Sequence, residues 1–168
     1  MIPLRTVLIV GLLVLGVVFH TKFDLSQAWY FYLTAFVLLI TQFLFGNIWQ
    51  AFSYLNKGKP EEAGKIIGRI HYPNLLIKRN RAYYHFIKGM LYLQHKDLNP
   101  ANENLGKSLH LGLREGTDTA LALLNLAHIH YMQKNKDLAK SYLQKAKAIQ
   151  SNDLMIKEHL QKLEGALG

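Results

Sequence analysis

Small residues return every 38 positions through the greater part of this chain: Ala51, Gly89 and Ala127 form one series, and Ala63, Ala101 and Ala139 another. Larger residues keep the same interval, as in Tyr54, Tyr92 and His130, or Ile67, Leu105 and Leu143. Ile70, Ser108 and Ala146 follow it too, and so do Pro73, Leu111 and Ile149. Within each period the apolar positions fall at helical spacing on two successive stretches. Gly58-Lys59-Pro60 marks the turn between them in the first period, and Asn135 marks it in the third. Such a unit is a helix pair that cannot bury its own apolar face, so copies must stack to make a core.

These residues resemble the tetratricopeptide repeat, in which small residues let paired helices approach closely and large apolar ones fill the gaps between them. The third unit, residues 118 to 151, matches nearly throughout but has Ser151 where the family usually ends on proline. The second, residues 81 to 114, keeps Gly89, Tyr92, Ala101 and Leu105. The first, residues 44 to 74, is the most degenerate, with Ile70 at a small-residue position. The family's usual period is about 34 residues, so the links 71–80 and 112–118 are expected to be lengthened.

Ahead of the repeats lie two apolar segments. Thr6 to Phe19 carries no charge, and Trp29 to Ile48 is interrupted only by Thr34, Thr41, Gln42, Gly46 and Asn47, with Trp29, Tyr30 and Tyr32 at its start. Rings of this kind favour the level of lipid headgroups. Two spans, about 6–23 and 28–48, are therefore expected to form a transmembrane hairpin. A cleaved signal peptide is the competing reading of the first segment, but His20-Thr21-Lys22 follows it where a small-x-small site would be needed. The second span is expected to run without a break into the first repeat helix.

The chain has 20 Lys and Arg against 11 Asp and Glu, a net +9. The excess sits just after the apolar segments, in Lys57, Lys59, Lys65, Arg69, Lys78, Arg79 and Arg81. Under the positive-inside rule this places both termini and the array in the cytoplasm, with a bacterial inner membrane as the expected location. The same residues are a candidate patch for anionic lipid; the alternative is a topology signal on a solvated face. No aromatic-interleaved basic motif appears, so nucleic acid is not expected as a partner.

Local signals support the helix pairs. Pro60 and Pro100 suit the first position of a second helix, with Asn99 as cap for the latter, and Glu61, Glu62 and Glu103 lie in or near first turns. A final helix over 152–167 places Ile156, Leu160, Leu163 and Leu167 on one face, as a terminal cap requires.

Catalytic chemistry finds no footing. There is no cysteine, His128 and His130 point about 200° apart on a helix, and Gly106-Lys107-Ser108 falls within a repeat helix rather than between a strand and a helix. No catalytic residue, metal or cofactor is assigned. The resemblance instead implies a concave surface lined by the first helices: Phe52, Leu55, Tyr83, Phe86, Met90, Leu93, Leu124, His128, Tyr131 and Met132. Such a lining suits an amphipathic helix or an apolar peptide; the alternative is that the helical ends, or a second copy of the chain, fill this face as ordinary core. The expected architecture is all-α: a hairpin over 1–48, then an α-solenoid of about three helix pairs and a cap over 49–168. The expected role is a membrane-anchored, non-enzymatic interaction scaffold. The alternative is an assembly subunit of a larger membrane complex that uses the hairpin as its interface.

Overall fold

Helices account for nearly all of the regular structure. The computed structural model describes the backbone of residues 4–22, 25–45, 47–149, 151 and 153–167, and the side chains of 7–22, 28–41, 47–149, 151 and 153–167. The helices are α1 (Leu4–Lys22), α2 (Leu25–Phe45), α3 (Ile48–Asn56), α4 (Pro60–Ile67), α5 (Lys78–Gln94), α6 (Leu98–Leu111), α7 (Gly116–Met132), α8 (Lys136–Ala148) and α9 (Leu154–Leu167). A short 3-10 turn, Pro73–Leu75, lies between α4 and α5. Residues 1–46 and 47–168 form two units.

In the first unit α1 packs against α2. Gly16 makes room for Tyr32, whose ring would lie only 3.0 Å from a Cβ at that position. The rings of Phe19 and Phe31 are 5.0 Å apart. Ile9, Ala28 and Ala35 are buried, while Val10, Val14, Leu33, Phe36 and Val37 face outward. Among the described residues no helix is long and apolar enough to cross a membrane. The apolar run of α1 that is described ends at Phe19, before His20, Thr21 and Lys22. It rises roughly 20 Å at about 1.5 Å per residue, against a hydrocarbon core of about 30 Å. Residues 6, 23 and 42–46 of the expected spans lie outside the described side chains. The expectation of a transmembrane hairpin is corrected accordingly, and with it that of an integral membrane protein in an inner membrane. The unbroken helix into the repeats is corrected as well: Asn47 stands in a turn just before α3 begins at Ile48, residue 46 lying outside the described residues.

The second unit is an α-solenoid. Helices α3 with α4, α5 with α6 and α7 with α8 form successive pairs, and α9 closes the array against α7 and α8. First helices end at Asn56, Gln94 and Met132 and second helices begin at Pro60, Leu98 and Lys136, so each boundary recurs 38 residues on. Each turn is closed in the same way. The amide of Gly58 donates to Leu55 O and that of Lys59 to Tyr54 O, at 3.0 and 2.9 Å. Lys96 and Asp97 repeat these bonds to Leu93 and Tyr92, as do Lys134 and Asn135 to Tyr131 and His130. This is the Schellman closure, which needs a left-handed residue after the helix. Gly58 supplies it at φ +67°, Lys96 and Lys134 at +62°.

The register also overrides one local signal. Leu98, not Pro100, opens α6 with Asp97 at the cap position, and the Asn99 carboxamide oxygen instead accepts a bond from Gln133 Nε2 at 3.1 Å. Asp153 caps α9: its Oδ1 accepts from the Met155 amide at 2.9 Å.

Packing follows the small residues. At Gly89 a Cβ would stand 2.8 Å from Leu105 Cγ and 3.2 Å from Leu105 N, so only glycine lets α5 approach α6 there. Ala51, Ala63, Ala101, Ala127, Ala139 and Ala146 are fully buried. One apolar cluster runs from α3 to α7 and a second joins α7, α8 and α9. Helix α7 serves both, sending Leu126 and Ile129 to the first and Leu124 and Ala127 to the second. Tyr83 on α5 donates its hydroxyl to Asp118 Oδ2 on α7 at 2.6 Å, a polar tie between repeats. Burial, then the bond to Asp118, pushes the Tyr83 hydroxyl up to about 12.

Two expected outcomes follow from this arrangement. Lys96→Gly and Lys134→Gly each raise stability by about 0.5–1 kcal/mol by relieving left-handed strain on a side chain, whereas Gly58→Ala lowers it by a similar amount; urea midpoints measure both signs. Because Tyr83 ionises near 12 when folded and near 10 when unfolded, its stabilisation is present below about pH 10 and is lost as pH rises towards 12, of order 2 kcal/mol at most. Tyr83→Phe removes that share of the alkaline loss, and denaturation of both proteins at about pH 9 and 11.5 measures it.

Candidate functional site

The surface expected to line a groove is divided by packing. Tyr83 and Phe86 are fully buried. Phe52 lies against them with ring centroids at 5.2 and 6.1 Å, and Trp49 adds a contact to Tyr83 at 4.8 Å. Aromatic rings at these distances and inclinations form an interlocked cluster, in which Tyr83 and Phe86 are buried while Trp49 remains exposed. Leu55 and Leu93 are half-buried against the same cluster. Met132 is exposed at the end of α7.

Further along the array the face opens. Met90 of α5 and Leu124, His128 and Tyr131 of α7 line a cavity of about 540 Å³ together with Leu121 and Asn125. Its remaining wall is α9, through His159, Lys162, Leu163 and Ala166. The stripe Ile156, Leu160, Leu163 and Leu167 packs α9 into the core it shares with α7 and α8, and the neighbouring His159, Lys162 and Ala166 border the cavity together with Leu163. Asn125 holds one side: its Nδ2 donates to Leu121 O at 2.8 Å and reaches Met90 Sδ at 3.5 Å. The floor is aliphatic and thioether, and Lys162, His128 and His159 supply the polar margin. No carboxylate is among the lining residues.

The contribution of α9 was invisible as a binding wall in the sequence. The stripe His159, Lys162, Leu163, Ala166 has helical spacing, but nothing local says which flank of a capping helix meets the array and which meets water. His130, two residues from His128, is buried and stacks on Tyr142 with ring centroids at 5.3 Å. Among the described residues no group of three or more metal-ligating side chains comes together.

The seven basic residues expected to act together fall on three neighbouring stretches of the chain. Lys57 and Lys59 flank the turn between α3 and α4, Lys65 and Arg69 lie on and just beyond α4, and Lys78 and Arg79 open α5, all exposed. Arg79 stacks over Trp49, 5.2 Å from the ring centroid. Arg81 is half-buried and turns into a separate, smaller pocket. With no membrane-crossing helix among the described residues, a topology or lipid role for the group has no support.

No family model matches the chain, and no curated protein matches it. Among solved structures it is similar to a chain of the crystal structure of the APC/C hetero-tetramer Cut9-Hcn1, with a TM-score of 0.52 and 18% identity over 92% of this chain. The likeness spans 29% of that chain's length. At that identity it speaks to fold alone, and it agrees with the helix pairs and the closed turns described above: the fold is all-α and tetratricopeptide-repeat-like.

Proposed function

We propose that this protein is an interaction scaffold that works by non-covalent capture, and that the cavity between α5, α7 and α9 receives the apolar side of a partner helix edged with acidic residues. The observation that carries the reading is the lining itself. Met90, Leu121, Leu124 and Leu163 offer an apolar floor, while Lys162, His128 and His159 stand at the margin with no carboxylate among the lining residues. A helix laid in a groove gains most from apolar anchors at i, i+3, i+4 and i+7, and its charged margin sets orientation and discrimination. Methionine in the floor adapts to side chains of differing shape. The tetratricopeptide-like fold supports a protein ligand in general terms; helical form and acidic margin are the finer part of the proposal.

A second reading has its own observation. The outward apolar side chains of α1 and α2, among them Val10, Val14, Phe36 and Val37, would pack on the apolar helices of a neighbouring subunit, making the protein a component of a larger assembly. Exchange of residues 1–46 for an unrelated helical hairpin separates the two readings. Under the first, peptide capture by the array is retained; under the second, assembly is lost although capture persists.

The main test uses two synthetic amphipathic helices with the same leucine face, one flanked by glutamate and the other by lysine. The glutamate form is expected to bind the full chain the more tightly. Ala166→Trp, which fills the cavity from an exposed position, is expected to weaken that binding by about tenfold or more. Lys162→Glu should narrow or reverse the preference between the peptides. Fluorescence anisotropy reads each case; equal binding of both peptides, unaffected by Ala166→Trp, overturns the proposal.

A further inference from the structure

A second pocket, of about 260 Å³, lies between the start of α5 and the end of α6. It is distinct from the apolar cavity in every lining residue. Asn74, Arg81, His85, Lys107, His110 and Leu111 form its walls. Arg81 Nε is buried there without a hydrogen-bond partner, and no carboxylate lines the pocket. A guanidinium nitrogen withdrawn from water and left unbonded costs free energy that an acceptor would restore.

The neighbouring groups are arranged to receive such an acceptor. Asn104 donates its Nδ2 to Pro100 O at 2.8 Å, so its Oδ1 faces His85 Nδ1 at 2.9 Å as an acceptor. That bond places the proton of neutral His85 on Nδ1 and leaves Nε2 as the nitrogen that titrates. Burial, together with Lys107, Lys88 and Arg81, holds His85 below its ordinary value, against the opposing bond from Asn104. Lys107 is paired at 2.6 Å with Glu103, but both side chains are more than half exposed. Such a pair contributes little and exchanges readily for a better partner.

We infer that this pocket binds a small phosphomonoester through its dianionic phosphoryl group, with Arg81 and Lys107 as the permanent cations, His85 and His110 as further donors, and Leu111 beside the organic part. Arg81 offers the forked donor geometry that phosphoryl oxygens accept, and Lys107 adds a mobile point charge. The volume of about 260 Å³ exceeds what a bare phosphate needs and leaves room for a small organic part. Facing His85 are Arg81 and Lys88 from its own helix and Lys107, Glu103 and Asn104 from α6. Among these Glu103 is the sole anion. A bound dianion therefore favours protonated His85, and binding strengthens as pH falls towards the histidine range.

The test titrates the full chain with glycerol 3-phosphate, inorganic phosphate and sulfate at constant ionic strength, following the imidazole C–H signals of His85 and His110 by NMR. Saturable shifts of both signals are expected, with glycerol 3-phosphate binding the most tightly. Sulfate, a dianion throughout the range, should bind more tightly at lower pH. Arg81→Gln should weaken binding roughly tenfold, with thermal unfolding confirming that the fold is kept, and Lys107→Gln gives an independent loss from an exposed site. Chloride producing the same shifts, non-saturable responses, or equal affinity in both variants overturns the inference. Inorganic phosphate binding as well as glycerol 3-phosphate would show a phosphate site without a place for the organic part, and would overturn that half of it.

Discussion

The approach of α5 to α6 at Gly89 sets the geometry on which the array rests. With Leu105 Cγ only 2.8 Å from where a Cβ would stand, the two helices are closer there than any side chain at 89 would permit. Leu105 fills the space that a side chain at 89 would otherwise take. Alanine serves at the corresponding positions 51 and 127, where it too is fully buried. Interiors tolerate little added volume, since even one methylene forces neighbours off their rotamers. The small-residue series thus fixes the distance within a pair, and that distance fixes which residues of the next pair can reach across.

Helix α7 shows the consequence. It packs on both sides at once, with Leu126 and Ile129 in the core shared with α5 and Leu124 and Ala127 in the core shared with α8 and α9. A helix used on two faces has only a narrow strip left for a ligand. His128 and Tyr131 occupy that strip, and the apolar cavity lies between it, Met90 of α5 and α9. At the other end of the array the aromatic group of Trp49, Phe52, Tyr83 and Phe86 fills the comparable space. The two ends of the array therefore differ in what occupies this face: aromatic rings on α3 and α5, and a cavity between α5, α7 and α9.

Periodicity proved a stronger signal than local punctuation. The 38-residue register places the start of α6 at Leu98, equivalent to Pro60 and Lys136; the proline at 100 pointed two residues further on. Lys96 and Lys134 take left-handed backbone conformations without glycine because they stand where Gly58 stands, and the closed turn holds them there. The hairpin illustrates the opposite case. Its apolar character is plain in the sequence, yet among the described residues no helix is long and apolar enough to cross a membrane.

The sequence alone determined the helix pairs, their interval, the buried small residues and the capping stripe of α9, because these depend on spacing along one or two helices and on residue size. It also marked ten residues as one surface, and there its reach ended. Whether Tyr83 faces water or a neighbouring ring, and whether Met90 shares a cavity with Lys162, depends on the angle at which distant helices meet. The same holds for Arg81, read from the sequence as one of a basic series but turned by α5 towards His85, Lys107 and His110. Only the tertiary structure decided these contacts, since the packing of large side chains around the small-residue contacts sets the spaces left between helices.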